Sequence, residues 1–338
     1  MFFIFILKKY LKNFLLILFS LSFFFVIVDL IANYSRLPDS SNLQVLYVYY
    51  IMLYSFDMFY ALALVFSFIL TLYYMIKFNE LVSFYSLGFT IKKLLKPFMF
   101  FAIAVFALFL VLDSGKFAYV REYANFILNN NKYSSTNLFI KYNDKVVYIK
   151  KIEPILKQAD DIKVFYLKGR KVTKIISAKK ALFKNDIWYA KKAKITYLND
   201  KRIVNLVDNV YFLKDFKPKI ISNLKNLNSI SFYDAFIAIK LFKDINVNTL
   251  LSIVFYKVFT ALSFISLLII LMFKTPVHQR VSNVSLFLVK SVFLTIFTWG
   301  IQLMIYKFAK QGVLSPYVLV IPFAVLFSYG IFLLYKEK

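Results

Sequence analysis

Residues 138–152 read LFIKYNDKVVYIKKI, two stretches of apolar and aromatic residues on either side of Asn143-Asp144. Asn and Asp accept the backbone of a tight turn and β-branched residues favour extended chain, so this spacing predicts an antiparallel hairpin. Its position decides the fold. Three long apolar segments precede it, near residues 11–34, 51–76 and 95–113, and three follow, near 247–273, 284–306 and 316–335. A bilayer core about 30 Å thick takes roughly 20 mostly apolar residues per helix. The order therefore predicts an α-helical polytopic membrane protein, three spans plus three, with an antiparallel all-β domain inserted between the triplets.

The hairpin pattern recurs along the insert. Val164 to Leu167 and Lys171 to Ile176 flank Lys168-Gly169-Arg170; Ala181 to Phe183 and Ile187 to Ala190 flank Lys184-Asn185-Asp186; Ile195 to Leu198 and Arg202 to Val207 flank Asn199-Asp200. Turn signals at such short spacing predict a sandwich or open barrel rather than a parallel sheet. Two helical segments frame the strands. Lys116 to Asn130 reads as a continuation of the third span. Ser231 to Phe242 places Phe232, Phe236, Ile239 and Phe242 on one stripe, with Ser231 as the helix start, and suits a membrane interface. The chain divides into spans one to three (1–119), a β domain (120–230), and the interfacial helix with spans four to six (231–338).

Composition agrees, with 61% hydrophobic and 20% aromatic residues and a mean hydropathy of +0.67. That is more apolar surface than a water-soluble chain of this size hides. The first span exceeds a signal-peptide core, and no small-residue cleavage site follows at Arg36-Leu37-Pro38-Asp39, so it is expected to stay in the mature protein. Lys8, Lys9, Lys12, Lys77, Lys92, Lys93, Lys96, Lys274, Arg280, Lys336 and Lys338 fall on one side if the spans alternate. The positive-inside rule makes that side cytoplasmic, with both termini, and puts the insert across the membrane, because long loops translocate regardless of charge. The net charge of +26 has two readings. One is a composition biased towards lysine and asparagine; the other is a surface that attracts anionic headgroups, at about 1 kcal/mol per nearby cation. Nucleic acid is not expected as a partner.

Several chemistries are excluded. There is no cysteine, hence no disulfide, thiolate nucleophile or cysteine metal site. The six glycines include no Gly-x-x-x-x-Gly-Lys-Ser/Thr loop, and the single histidine, His278, has no neighbouring carboxylate cluster. Neither a resident cofactor nor enzymatic activity is expected. Ionisable residues inside spans carry more information, because each costs on the order of 3 kcal/mol at bilayer depth. Asp29 and Asp57 fit headgroup depth near the outer ends of spans one and two. Lys257, deep in span four, either snorkels outward or serves a function. Matching Gly/Pro interruptions in the two triplets are absent, which disfavours an ion-coupled carrier. Between spans two and three, Phe78 to Lys96 (FNELVSFYSLGFTIKKLLK) is too polar to span. Asn79 suits an N-cap and Gly88 a stop, predicting a short cytoplasmic helix.

These features together resemble the LptF/LptG family of lipopolysaccharide export permeases. ELVSFYSLG (Glu80 to Gly88), followed by Pro97, resembles the family's cytoplasmic coupling segment; LFIKYNDKVVYI (Leu138 to Ile149) resembles the first hairpin of its β domain; and Trp188 stands where a strand Trp is usual. Tyr256-Lys257-Val258 resembles the start of its fourth span, and Gln302, Gly312, Pro316 and Pro322 follow its last two. Tyr10-Leu11 and Asp29-Leu30 are closer to LptG than to LptF. Tyr60-Ala61 and Thr260-Ala261 depart from the family's tendency to proline. The resemblance covers nearly the whole chain.

It implies a jelly-roll-like periplasmic domain and an inner-membrane permease that pairs with a paralogous six-span subunit around a cavity. A cytoplasmic ATPase dimer would supply energy, and LptC/LptA-like bridge proteins would receive the lipopolysaccharide. Glu80 would face a basic residue of the ATPase, with Leu81, Phe84 and Tyr85 packing against it and Gly88 ending the helix. Lipid A carries phosphates and several acyl chains, so Arg36, Lys257, Lys307 and Lys310 are candidate phosphate contacts. Phe139, Tyr148, Phe165 and Trp188 are candidates for an acyl groove, although a one-residue shift in register would reverse their face. The rival reading is a non-transporting mechanotransmission or scaffold subunit coupled to an ATPase; those usually have four spans with the large domain after the first.

Overall fold

The computed structural model describes residues 2–129, 135–142, 145–153, 156–168, 171–198, 202–214, 216, 218, 230–241, 247–278 and 283–336. Its helices are α1 (Phe2–Ala32), α2 (Ser41–Lys77), α3 (Glu80–Ser86), α4 (Ile91–Asp113), α5 (Val120–Leu128), α6 (Phe232–Leu241), α7 (Val247–Lys274), α8 (Val284–Lys310) and α9 (Val320–Lys336). Six helices are long and apolar enough to cross a membrane: α1, α2, α4, α7, α8 and Pro316–Lys336, which includes α9. The chain forms two compact units, one from residues 1–35, 48–113 and 248–338, the other from 36–47 and 114–247.

In the helical unit α2 and α7 are the most enclosed, with 72% and 61% of their most apolar stretches buried against 11% for the last helix. Apolar residues on α1, α8 and α9, such as Phe24, Phe293 and Phe332, therefore point outward, as expected where lipid is the solvent. Leu64, Phe68, Leu72 and Phe98 fill the interior. Tyr10 packs edge-on against Phe98 and Phe101 at 5.1 and 4.9 Å. Its hydroxyl donates to the Leu64 carbonyl at 2.9 Å, and Asn13 Nδ2 donates to Thr71 Oγ1 at 2.8 Å. Polar groups have no water to turn to at that depth, so these bonds set how α1 lies on α2.

The second unit holds β1 (Ser135–Tyr142), β2 (Lys145–Glu153), β3 (Gln158–Lys168), β4 (Lys171–Lys184), β5 (Ile187–Leu198) and β6 (Arg202–Phe212). They form one antiparallel sheet in chain order. Asn185 and Asp186 are both left-handed (φ 49° and 59°), the backbone of a type I′ hairpin turn. The strands run longer than the sequence predicts, and a row of positions left out of the pairing crosses them without a change of register; a register shift lies farther along, between Tyr166 and Leu167 of β3. Asn137 and Asp161 are left-handed (φ 53° and 50°) and both fall at the level of Lys150. Asn209 (φ 55°) interrupts the pairing of β5 with β6. The buried residues step from Ile149 to Ile152, from Ala159 to Ile162, from Ala178 to Ala181 and from Ala190 to Ala193. Alternation is thus broken once in each of these strands, and the buried face continues across the break.

This break corrects the expected acyl groove. Phe139 and Tyr148 are directly paired with rings 4.6 Å apart, and they share with Phe165 the face opposite the buried one; Phe139 is 71% exposed. Trp188 lies on the buried face and its Nε1–H donates to the Phe216 carbonyl at 2.7 Å. Past the last buried rung, Lys145, Tyr166, Lys174 and Tyr197 pair across four strands, with Lys174 Nζ 5.5 and 5.3 Å from the two rings. Burial pushes the Tyr166 phenol up.

The segment after span three is not a continuation of it. α4 ends at Asp113, extended Gly115 follows, and a 3₁₀ turn over Lys116–Tyr119 leads into α5. Tyr119 O–H donates to Asp234 Oδ2 at 2.6 Å, and Ser231 Oγ caps α6 by accepting from Asp234 N. Burial, reinforced by Asp234, raises the Tyr119 phenol. α6, over Phe232–Leu241, buries Ala235 and Ala238 and leaves Phe236 and Ile239 outward; Phe242 lies outside the described residues.

The left-handed backbone of β3 is tested at Asp161. Replacing it with valine forces a β-branched residue into left-handed backbone and is expected to cost about 1–3 kcal/mol, whereas Asp161→Gly should leave stability unchanged or raise it slightly. Thermal unfolding of the purified protein, followed by tryptophan fluorescence, measures both. Equal losses would show that the carboxylate matters and the backbone does not.

Candidate coupling helix and intramembrane ion cluster

Helix α3 sits between two spanning helices, α2 and α4. Asn79 begins it from left-handed backbone (φ 57°) and caps it with its carbonyl rather than its side chain. Gly88 ends it at φ 79°, with Gly88 N donating to the Tyr85 carbonyl and Phe89 N to the Phe84 carbonyl, both at 3.0 Å. That is a Schellman closure. A Cβ at Gly88 would meet nothing within 4 Å, so backbone conformation alone demands glycine there.

The inner face of α3 is held by its own chain. Leu81 is fully buried, and Phe84 packs against Phe2 and Phe89, with ring centres 6.0 and 5.6 Å away. Glu80 Oε1 forms an ion pair with Lys9 of α1, while its Oε2 is buried without a hydrogen bond. This corrects the expected docking face, because Leu81 supports the helix from beneath. Tyr85 is half-buried, and the outward apolar residues are Phe78 and Leu87, at 63% and 73% exposure.

Deeper in the helical unit, Lys257 of α7 places its ammonium 3.0 Å from Asp57 Oδ2 of α2 and 2.7 Å from Asp113 Oδ1 of α4. The side chains are 21%, 15% and 5% exposed. Two carboxylates around one ammonium give the cluster a formal charge of −1, and each ion makes the others tolerable in a poorly solvated site. Asp57 is thus an internal partner rather than a lone headgroup-depth acid. Asp113 carries no signal in sequence beyond being a carboxylate at the close of an apolar run. Asp29 is buried and accepts from Asn33 Nδ2 at 3.3 Å. Beside the cluster Tyr256 stacks on Tyr306, ring centres 4.4 Å apart, and Gln302 Nε2 donates to Ser263 Oγ at 2.9 Å, binding α7 to α8.

The family model of the lipopolysaccharide export system permease LptF/LptG matches residues 4–336. The chain belongs to the LptF/LptG family. Comparison with individual curated proteins returns no match. The family is the permease component of lipopolysaccharide export and is not itself catalytic, and its description joins LptF and LptG without separating them. Six apolar helices suit a multi-pass inner-membrane member of LptF/LptG. Of the four cations expected to meet phosphate, Arg36 and Lys307 are exposed and Lys310 is half-buried, with its carbonyl accepting from Thr249 Oγ1 at 3.4 Å. Lys257 has its charge engaged by two carboxylates of this LptF/LptG chain.

The cluster makes a graded prediction. Lys257→Met leaves two buried carboxylates unpaired and should destabilise the protein by on the order of 3 kcal/mol. Neutralising all three positions (Lys257→Met with Asp57→Asn and Asp113→Asn) should recover most of that loss. Melting temperatures in detergent measure both; a triple variant no more stable than the single one would mean the ions do not act as a unit.

Proposed function

We propose that this chain is a transmembrane subunit of an ATP-driven ABC transporter, one that extracts lipopolysaccharide from the inner membrane and passes it to a periplasmic bridge. The observation that carries this reading is the family match over residues 4–336 together with a pinned, Schellman-closed helix between two spans. In this reading the lysine-rich short loops and both termini are cytoplasmic and the β domain is periplasmic. Tyr10-Leu11 and Asp29-Leu30 favour LptG. A paralogous six-span subunit completes the cavity, and a cytoplasmic ATPase dimer docks on α3, meeting Glu80, Tyr85 and the outward Phe78 and Leu87.

ATP-driven movement of the dimer would displace α3 as a body, because its inner face is bonded to α1 and its ends continue into α2 and α4. Those two helices hold Lys257 of α7 between their carboxylates, so α7 would move with them and narrow the cavity by rigid-body rotation. Arg36, Lys307 and Lys310 then serve as phosphate contacts during ascent. In the β domain the acyl path follows one face of the sheet, either that of the exposed Phe139 with the half-buried Tyr148 and Phe165 or the opposite face around Trp188.

Glu80→Lys is expected to lower lipopolysaccharide extraction at least tenfold in reconstituted vesicles while ATP hydrolysis persists. The exchanged pair, Glu80→Lys with Lys9→Glu, restores the internal ion pair but not a contact to a basic residue of the ATPase, so it should remain uncoupled. Recovery of extraction by the exchange would show that Glu80 acts only within its own chain. Co-purification of a second six-span protein, an ATPase and lipopolysaccharide tests the assembly; recovery of none of them would overturn it.

A further inference from the structure

The helical unit contains a cavity of about 560 Å³ between the last turns of α7 and the first turns of α8. Leu271, Leu286, Phe287 and Leu294 give it apolar walls, and Lys274 and Lys290 also line it. Both lysines are exposed, and no carboxylate pairs with either among the described residues. They contrast with Lys9 and Lys257 of the same unit, whose charges are compensated. Among the described residues no acidic side chain lines the cavity. The α8 side of the cavity starts from a capped helix end, since Asn283 Oδ1 accepts from Leu286 N at 3.0 Å and its carbonyl from Phe287 N at 3.2 Å.

We propose that this cavity binds one anionic phospholipid of the surrounding membrane, with its phosphate between Lys274 and Lys290 and an acyl chain along Leu271, Phe287 and Leu294. The lysines stand where a spanning helix ends and the next begins, the depth of a phosphate headgroup. Basic pockets between spanning helices are suited to such headgroups. The cavity is the size of a single-ligand pocket and too small for the several acyl chains of lipid A. The occupant is thus a resident lipid rather than the cargo, and the inference goes beyond the transport reading and does not require it.

The test is retention of palmitoyl-oleoyl phosphatidylglycerol, measured by native mass spectrometry of the full-length protein released from nanodiscs. One molecule per chain should be retained in preference to phosphatidylcholine of the same chains. Lys274→Ala with Lys290→Ala should cut that retention at least tenfold, taking each cation at about 1 kcal/mol, while Lys12→Ala, elsewhere on the unit, should not change it. Leu294→Trp, which fills the apolar wall without altering charge, should also lower retention, with helicity and melting temperature confirming the fold. Equal retention of both lipids would overturn the proposal. So would displacement of the lipid by millimolar inorganic phosphate, which marks a free-anion site, or by stoichiometric lipopolysaccharide, which marks a cargo subsite.

Discussion

An ammonium group in the middle of an apolar helix bundle must find anions or lose its charge, and the arrangement of this membrane unit answers to that requirement. Lys257 meets carboxylates from two other helices. Pairing of this kind adds little net stability compared with well-packed apolar residues, but leaving one member alone is costly. Its contribution is therefore one of specificity: α7 has one position relative to α2 and α4 in which all three ions are satisfied. The bonds from Tyr10 and Asn13 to α2 do the same for α1, and Gln302 with Ser263 does it for α8. Side chains that are merely apolar could slide past one another in a solvent as apolar as they are; these few polar contacts cannot.

The sheet obeys a different constraint, set by backbone chirality. A strand that leaves strict alternation by one position turns its next side chains to the other face. Left-handed residues stand at Asn137, Asp161 and Asn209, and in β3 the buried set steps from Ala159 to Ile162 across Asp161, so that the same face stays covered. Asn and Asp are the side chains that adopt this backbone most readily after glycine. Asp161 also meets Lys150 at 3.5 Å, an exposed pair that contributes little by itself.

The spans were legible in sequence because lipid imposes length and hydropathy together, and the hairpins because their turns carry Asn, Asp and Gly. What sequence could not supply were facts that exist only between elements. Asp113 gains meaning from Lys257, which is remote along the chain. Glu80 stands in the stretch that resembles a coupling segment, yet its carboxylate pairs with Lys9 of α1. Leu81 looks like a docking residue on a helical wheel but faces inward, because α3 is short and must bury a side of its own to stay folded. The Phe139, Tyr148, Phe165 and Trp188 set assumes one unbroken alternation, and a single row of breaks in it separates Trp188 from the other three. Periodicity locates such breaks only when read strand by strand for three-residue steps between apolar positions.

A seven-residue helix has too few hydrogen bonds to be stable alone, so α3 exists because Leu81, Phe84 and Glu80 are held by α1 and its own flanks. The same attachments decide how a force on it would spread. α1 is bonded to α2 and packed on α4 through Tyr10, Phe98 and Phe101, α2 and α4 grip Lys257 of α7, and α7 is fastened to α8. Close-packed interiors deform little and pass displacement on. A displacement of α1 would therefore be passed through α2 and α4 to α7. The backbone leaves helical geometry at Asn79, at Gly88 and at Gly115. The first two breaks separate α3 from the spans on either side, so a force on α3 would enter the bundle through its contacts with α1, from Glu80 to Lys9 and from Phe84 to Phe2, rather than along the backbone.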